Sequence, residues 1–194
     1  MRELYPEYLF TSHGVIRASV PLMETALERA RALADSDPVA ALLAPYLEEH
    51  IDEERDHDEW LLDDLEVLGR DRDEIMARVP SPTVAGLVGA QYYWIFHYHP
   101  AVLLGYISLL EGYPPSTELI ERLILASGYP RESFHTMIAH AELDPGHRDE
   151  LNELLDSLPL TPELSGAIGL NAMWSVATFT RVIDELLESF QAAA

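Results

Sequence analysis

Apolar positions recur along this chain at spacings of three and four residues, a pattern typical of amphipathic helices. One apolar stripe covers 15–34, and another runs through 37–69. Proline and glycine clusters at 112–115 and 128–130 separate the later helical segments. β-branched residues are sparse and never alternate with polar ones for long. The pattern therefore predicts an all-α bundle of about seven helices.

The predicted helix over 37–69 has an unusual centre. Asp37 is a good N-cap, Pro38 suits the first helical position, and Pro45 is a candidate bend. The residues at 48–60, EEHIDEERDHDEW, are far too polar for a core helix of this length. Either this is a solvated face, or some of its polar side chains point inward at a ligand.

Composition excludes several classes of function. The 194 residues predict one domain over 1–194, and a net charge of −22 argues against nucleic acid and anionic membranes as partners. Without cysteine, the chain forms neither disulfides nor thiolate metal sites. The N-terminus lacks the apolar run of a signal peptide, and no segment reads convincingly as a membrane span. We expect a cytoplasmic protein.

The stretch HAELDPGH at 140–147 is the first candidate for chemistry. It places His140, Asp144 and His147 at positions i, i+4 and i+7, which lie on one face of a helix. Two imidazoles and a carboxylate on one face are half of a site for a first-row metal.

The polar centre of the helix over 37–69 offers the next ligands. His50, Glu53, Glu54 and His57 follow at i, i+3, i+4 and i+7, and Glu-x-x-His is a pair found on the helices of di-iron bundle proteins. The ordinary interpretation is a solvated charged face. The second histidine, two turns away from the first, favours the ligand interpretation.

Glu111 ends a helix over 82–111 that is otherwise free of acids and is interrupted at Pro100. Its predicted stripe contains His97, Ala101, Leu104 and Ser108. A glutamate buried there is costly unless it is paired or binds a cation. An exposed position at the helix end, with no function, is the alternative.

Together these positions supply three imidazoles and three carboxylates, which suit iron or manganese. Three carboxylates offset three of the four charges of two ferrous ions. His50 is a seventh ligand, a neighbour that orients a ligand, or a proton donor. The candidate metal ligands are Glu54, His57, Glu111, His140, Asp144, His147 and His50.

At these residues the chain resembles the heme-oxygenase-like di-iron oxidases, relatives of the thiaminase-like and pyrroloquinoline-quinone-synthase-like bundles. HIDEERDHDEW, HPAVLLGYISLLEG and HAELDPGHRDEL carry the resemblance in the family order. It implies a heme-oxygenase-like bundle with two Fe(II) ions. It also implies an enzyme that uses dioxygen to oxidise a small organic molecule, either hydrophobic or derived from an amino acid.

The resemblance carries ligand roles over to His57, Glu111, His140, Asp144 and His147. The first helix acid is open, because some members place a glutamate one turn before the histidine, which matches Glu54. Others place it two turns before, where this chain has His50. A site richer in histidine, or a single bound metal, would follow from that departure.

Two other classes compete with this interpretation. A ferritin-like di-iron bundle would use Glu24, Glu54 with His57, Glu111, and Glu132 with His135. It would leave His140, Asp144 and His147 unused. In a metal-free bundle, the histidines are core or surface groups, and the aromatic run YYWIFHYH lines an organic ligand pocket.

Three residues are candidates for substrate binding. Arg17 could recognise a carboxylate, with a surface salt bridge as its ordinary role, and Tyr93 and His97 belong to the aromatic run. Gly86 and Gly89, three apart on one helix, would permit close helix packing, either internally or in a homodimer.

Overall fold

A computed structural model describes residues 1–193 of the chain. The described residues form ten α-helices and short 3-10 helices at Pro100–Leu103 and Arg131–Phe134, without a strand. The all-α prediction is confirmed. The larger number of helices comes from breaks within the predicted helices over 37–69 and 82–111, and from a separate helix at 4–16. The helices are α1 (Leu4–Ile16), α2 (Ser19–Leu33), α3 (Pro38–Glu54), α4 (His57–Val67), α5 (Arg72–Ala77), α6 (Pro82–His97), α7 (Leu104–Glu111), α8 (Thr117–Ser127), α9 (His135–Ser157) and α10 (Pro162–Ala193).

The start of α3 follows its sequence signal. The Asp37 side chain accepts hydrogen bonds from the backbone N–H groups of Val39 and Ala40, at 2.8 and 3.1 Å. Its second oxygen lies 3.0 Å from His99 Nε2, and His99 Nδ1 accepts from the N–H of Ala101. His99 therefore joins the start of α3 to the turn after α6, which is a structural role.

The prediction of a single helix over 37–69 is wrong. α3 ends at Glu54 and α4 begins at His57, because Arg55 is extended and Asp56 is left-handed, with φ of 67°. Aspartate is one of the few residues that adopt this conformation readily. Over 52–59 the chain carries no apolar side chain, so packing gives no reason for the helix to continue.

Two hydrophobic clusters meet along α9. The larger one joins α2, α3, α6, α7 and α10, and reaches α9 at Leu151. The smaller one joins α1, α4, α5 and α8, and packs against α9 at Met137 and Ala141. The middle of α9, which contains HAELDPGH, therefore lies between the two hydrophobic clusters.

α10 is the longest helix, and a polar network fixes its position. Asn171 is fully buried and donates hydrogen bonds to Gln91 Oε1 at 2.8 Å and to the carbonyl of Val102 at 2.9 Å.

Within the part of the chain that the structure describes, no helix combines the length and apolar character needed to cross a membrane.

Gly105 sets how closely α7 approaches α10. A Cβ atom at this position would lie 2.4 Å from the carbonyl oxygen of Ile168 and 2.8 Å from the backbone nitrogen of Ala172. Because both atoms are backbone, Gly105→Ala must push the helices apart. We expect it to lower the free energy of unfolding by about 1–3 kcal/mol in urea denaturation.

The matched control is Gly89→Ala on α6, where a Cβ atom would meet nothing within 4 Å. It should raise stability by about 0.5–1 kcal/mol, because alanine favours a helix interior over glycine. Equal effects of the two variants would show that the close approach at Gly105 does not matter for stability.

Candidate metal centre

Two sets of ligand side chains lie next to each other between the helices. His50, Glu111 and His147 place one ligand atom each within 4.8 Å of one another. Glu54, His57 and His140 do the same. The residues come from the end of α3, the start of α4, the end of α7 and the middle of α9. All are buried except His140, which is partly buried.

Glu54 contacts both sets with its two oxygens. Its Oε2 atom lies 3.1 Å from His57 Nδ1, and its Oε1 atom lies 3.5 Å from Nδ1 of His147 in the other set. Glu54 therefore presents one carboxylate oxygen to each set of ligand atoms.

Neighbouring groups hold the rings of the set formed by Glu54, His57 and His140. The Nδ1–H of His140 donates to the carbonyl of Thr136 at 2.8 Å, which leaves Nε2 as the ring atom free to bind a metal. The His57 ring stacks on Trp60, with ring centroids 3.9 Å apart. Burial lowers the pKa of His140, which favours the neutral form that binds metals.

His50 is held between carboxylates. Its Nε2 atom lies 2.9 Å from Glu111 Oε1, and its Nδ1 atom lies 3.4 Å from Glu53 Oε2. Burial lowers the pKa of His50, but the hydrogen bond and charge of Glu111 outweigh it and raise that pKa to about 9. Without a metal, His50 is therefore a cation at neutral pH, and it must lose a proton to become a ligand.

Asp144 lies beside both sets on α9. Its Oδ1 atom is 3.9 Å from His147 Nδ1, and the side chain is almost fully buried. Burial, together with the charges of Glu111 and Glu54, raises the pKa of Asp144 to about 7. A carboxylate in this position lacks a positive neighbour strong enough to keep it ionised at its ordinary pKa.

The donor atoms fit a metal centre. Four buried atoms at this place have no hydrogen-bond partner among the described residues, which is unusual in a folded protein. They are Glu54 Oε1, Glu111 Oε2, Asp144 Oδ1 and His147 Nδ1. Imidazole nitrogens and carboxylate oxygens, without sulfur, are the donors that iron and manganese prefer.

The structure thus brings together all seven residues that the sequence suggested as ligands. One detail of the sequence prediction is wrong. His57 does not share a helix face with His50, since the chain breaks between α3 and α4 and turns His57 back toward Glu54. The α9 helix is continuous through Pro145, so His140, Asp144 and His147 all lie on one helix.

The three candidates for substrate binding lie elsewhere. Tyr93 is 62% exposed, and its ring contacts that of His97, which is also exposed. The interruption before α7 removes His97 from the stripe that ends at Glu111. Arg17 lines a separate surface depression with Pro21. None of the three borders the cavity next to His140 and Asp144 that is described below, and their role in substrate binding stays a prediction.

A cavity that the sequence did not indicate opens beside the centre. It has a volume of about 320 Å³ and is bordered by His140 and Asp144 on α9. Leu9 on α1, Leu61 on α4 and Leu109 on α7 form part of its wall. Leucines are usual in a helix core, so no local pattern could have separated these wall residues from ordinary packing positions.

Asp64 is a buried acid that supports the centre and that the sequence analysis did not single out. It is buried on α4, and its two oxygens accept the backbone N–H groups of His135 and Thr136, both at 3.0 Å. It therefore caps α9, one turn before His140. An acid among Leu61, Leu65 and other apolar positions on one helix face was the available signal.

Replacing Asp64 should loosen the start of α9. In Asp64→Asn, one of the two N–H groups faces an amide NH₂ instead of an oxygen. We expect a loss of about 1–3 kcal/mol in the free energy of unfolding, with faster hydrogen exchange at 135–137. Asp63→Asn, at the exposed neighbour paired with Arg72, should change stability by less than about 1 kcal/mol. Unchanged exchange in Asp64→Asn would contradict the capping role.

Solved structures with similar folds support this architecture. A domain of unknown function with a heme oxygenase-like fold from Shewanella denitrificans OS217 has a TM-score of 0.84 at 20% identity, over 98% of this chain and 80% of that one. A TenA homolog from Pseudomonas syringae pv. tomato DC3000 has a TM-score of 0.77 at 14% identity, over 97% of this chain and 80% of that one. Both likenesses show the fold, which confirms the predicted heme-oxygenase-like bundle.

No curated protein matches the chain. The profile of a family described as iron-containing redox enzyme matches residues 17–179, which is most of the chain and contains all seven candidate ligands. The match accords with the buried histidines and carboxylates between α3, α4, α7 and α9. This chain belongs to the iron-containing redox enzyme family.

Proposed function

We propose that the protein is a non-heme di-iron oxidase that uses dioxygen to oxidise a small organic molecule. One observation carries the proposal: two buried sets of nitrogen and oxygen donors lie side by side, and Glu54 offers one oxygen to each. Membership of a family of iron-containing redox enzymes supports iron as the metal. Bound ferrous iron would supply the electrons that reduce dioxygen.

The protein's own residues would bind, orient and shield the reacting groups. His50, Glu111 and His147 would hold one iron, and Glu54, His57 and His140 the other, with Asp144 completing either site. In the set formed by His50, Glu111 and His147, iron binding would release a proton, because His50 must be deprotonated before it can bind iron. The apolar cavity beside His140 and Asp144 would hold the substrate and exclude water.

Iron loading and oxygen uptake test the proposal. The protein is loaded with ferrous iron without oxygen, freed of excess metal and analysed for iron. We expect about two iron atoms per chain, and oxygen consumption that depends on the iron. One iron atom per chain would overturn the di-iron assignment, and clearly less than one iron atom per chain would overturn the metal centre as well. Loading with manganese under the same conditions tests the other metal that this donor set suits.

A metal-free organic-ligand protein is the second candidate. The observation that favours it is the direct pairing of His50 with Glu111 at 2.9 Å and of His57 with Glu54 at 3.1 Å, which satisfies these groups in part without metal. This pairing leaves Glu54 Oε1, Glu111 Oε2 and Asp144 Oδ1 without partners, so we rank the metal-free protein second.

A further inference from the structure

The cavity beside the centre has a nearly uniform chemical character. Its wall is mostly leucine, isoleucine, valine, methionine and phenylalanine side chains. Apart from His140 and Asp144, the polar groups are the hydroxyls of Tyr8, Ser12 and two further residues. All twelve basic residues of the chain are arginines, and none of them lines the wall that the described residues form.

The positions of the polar and apolar residues in this wall indicate where the polar and apolar parts of a ligand would lie. Among the residues of this wall, only His140 and Asp144 carry an imidazole or a carboxylate, and both lie beside the metal ligands. Tyr113, which is 89% exposed, and Leu119, which is 43% exposed, lie at the opening. A charged group held between these two regions would lose its hydration without gaining an ion partner, which is costly.

We propose that the ligand of this cavity is an uncharged molecule with an apolar body and a single polar group directed at the metal centre. At roughly 30 Å³ per non-hydrogen atom, a volume of about 320 Å³ holds about ten such atoms. The proposal rests on the proposed function for the identification of this ligand with the substrate.

A free amino acid does not fit this cavity. Its carboxylate and its ammonium group would both have to lie at the end bordered by His140 and Asp144, because the rest of the wall offers no ion partner. That end offers the Asp144 carboxylate to an ammonium group but no arginine to the carboxylate of the amino acid. Of the two substrate classes that the sequence left open, the cavity favours the hydrophobic one.

A homologous series of alcohols tests the ligand class. Hexan-1-ol, heptan-1-ol and octan-1-ol are titrated calorimetrically into the ferrous protein under nitrogen, and again into chelator-treated protein. Each added methylene should lower the Kd about fourfold, as expected for burial of one CH₂ group. The zwitterion 2-aminooctanoate should bind at least about 10-fold more weakly than octan-1-ol. A flat series, or equal binding of the zwitterion, would overturn the proposal.

Substitutions on α8 test the place of binding. Leu119→Trp narrows the opening of the cavity. In this variant the Kd should no longer fall from hexan-1-ol to octan-1-ol. Leu125→Trp is the matched control, because Leu125 is 82% exposed on the same helix and lies outside the cavity wall. Circular dichroism checks that both variants fold. If Leu119→Trp folds and leaves the series unchanged, the alcohols bind elsewhere and the proposal fails.

The two proposals fail in different ways. A protein that takes up no iron but binds the alcohols with the methylene increment would overturn the oxidase proposal and leave the ligand class intact. A protein that binds two iron atoms and consumes oxygen, but shows no increment along the series, would overturn the ligand class alone.

Discussion

His140→Ala and Glu111→Ala should each abolish iron-dependent oxygen consumption. The two residues belong to different ligand sets, so each variant loses one site while the other stays chemically intact. Changes to groups that only orient metal ligands lower affinity or activity 10- to 100-fold, so loss of a ligand should lower turnover by about 100-fold or more. Iron content should fall to about one atom per chain in each variant.

His135→Ala is the matched control for His140→Ala. His135 lies on the same helix, is exposed and belongs to neither ligand set. It would be a ligand in the ferritin-like interpretation, so the pair of variants separates the two site assignments. Near-normal turnover in His140→Ala would refute the proposed site, and loss of iron in His135→Ala would favour the ferritin-like one.

The fold was predictable because its signals are local. Helical periodicity, the Asp37–Pro38 start and the interruption at Pro100 all appear in the structure. The break at Arg55–Asp56 was not predicted, because neither residue forbids a helix. It depends on tertiary packing, which closes α4 against α1 and directs His57 back toward the end of α3.

The candidate ligands could be found because each is a polar residue where a core position was expected. Spacing on one helix explains His140, Asp144 and His147. It does not show that His140 and His147 would join different sets, or that Glu54 would contact both. Those facts depend on how four helices cross, and the cavity depends on gaps between their side chains.

Asp144 and His50 should each make the metal-free protein less stable as the pH rises. The folded-state pKa of Asp144, about 7, lies above its ordinary 3.8, so the folded chain binds the extra proton between about pH 4 and 7 and loses stability across that window. The pKa of His50, about 9 against 6.5, gives stability that is present below about pH 6.5 and lost as the pH rises through 9. Metal binding removes both protons, so metal affinity should rise across the same range.

Asp144→Asn should therefore make the metal-free protein more stable while weakening its metal binding. The substitution removes a buried carboxylate whose neighbours Glu111 and Glu54 are also acids. At pH 8 we expect a gain of about 2–4 kcal/mol in the free energy of unfolding of chelator-treated protein, by urea denaturation. Asp149→Asn, on the exposed side of the same helix, should change it by less than about 0.5 kcal/mol.

With ferrous or zinc ions bound, the wild-type protein should become more stable than Asp144→Asn, which reverses the order expected without metal. The ions should stabilise the wild-type protein strongly and Asp144→Asn weakly, since binding to the folded state alone raises stability with affinity. This reversal distinguishes a metal ligand from a structural acid. If Asp144 served only packing or hydrogen bonding, its replacement would destabilise the protein both with and without metal. The cost of burying Asp144 near other acids is then understandable, because a cation is the partner that its unpaired oxygen lacks.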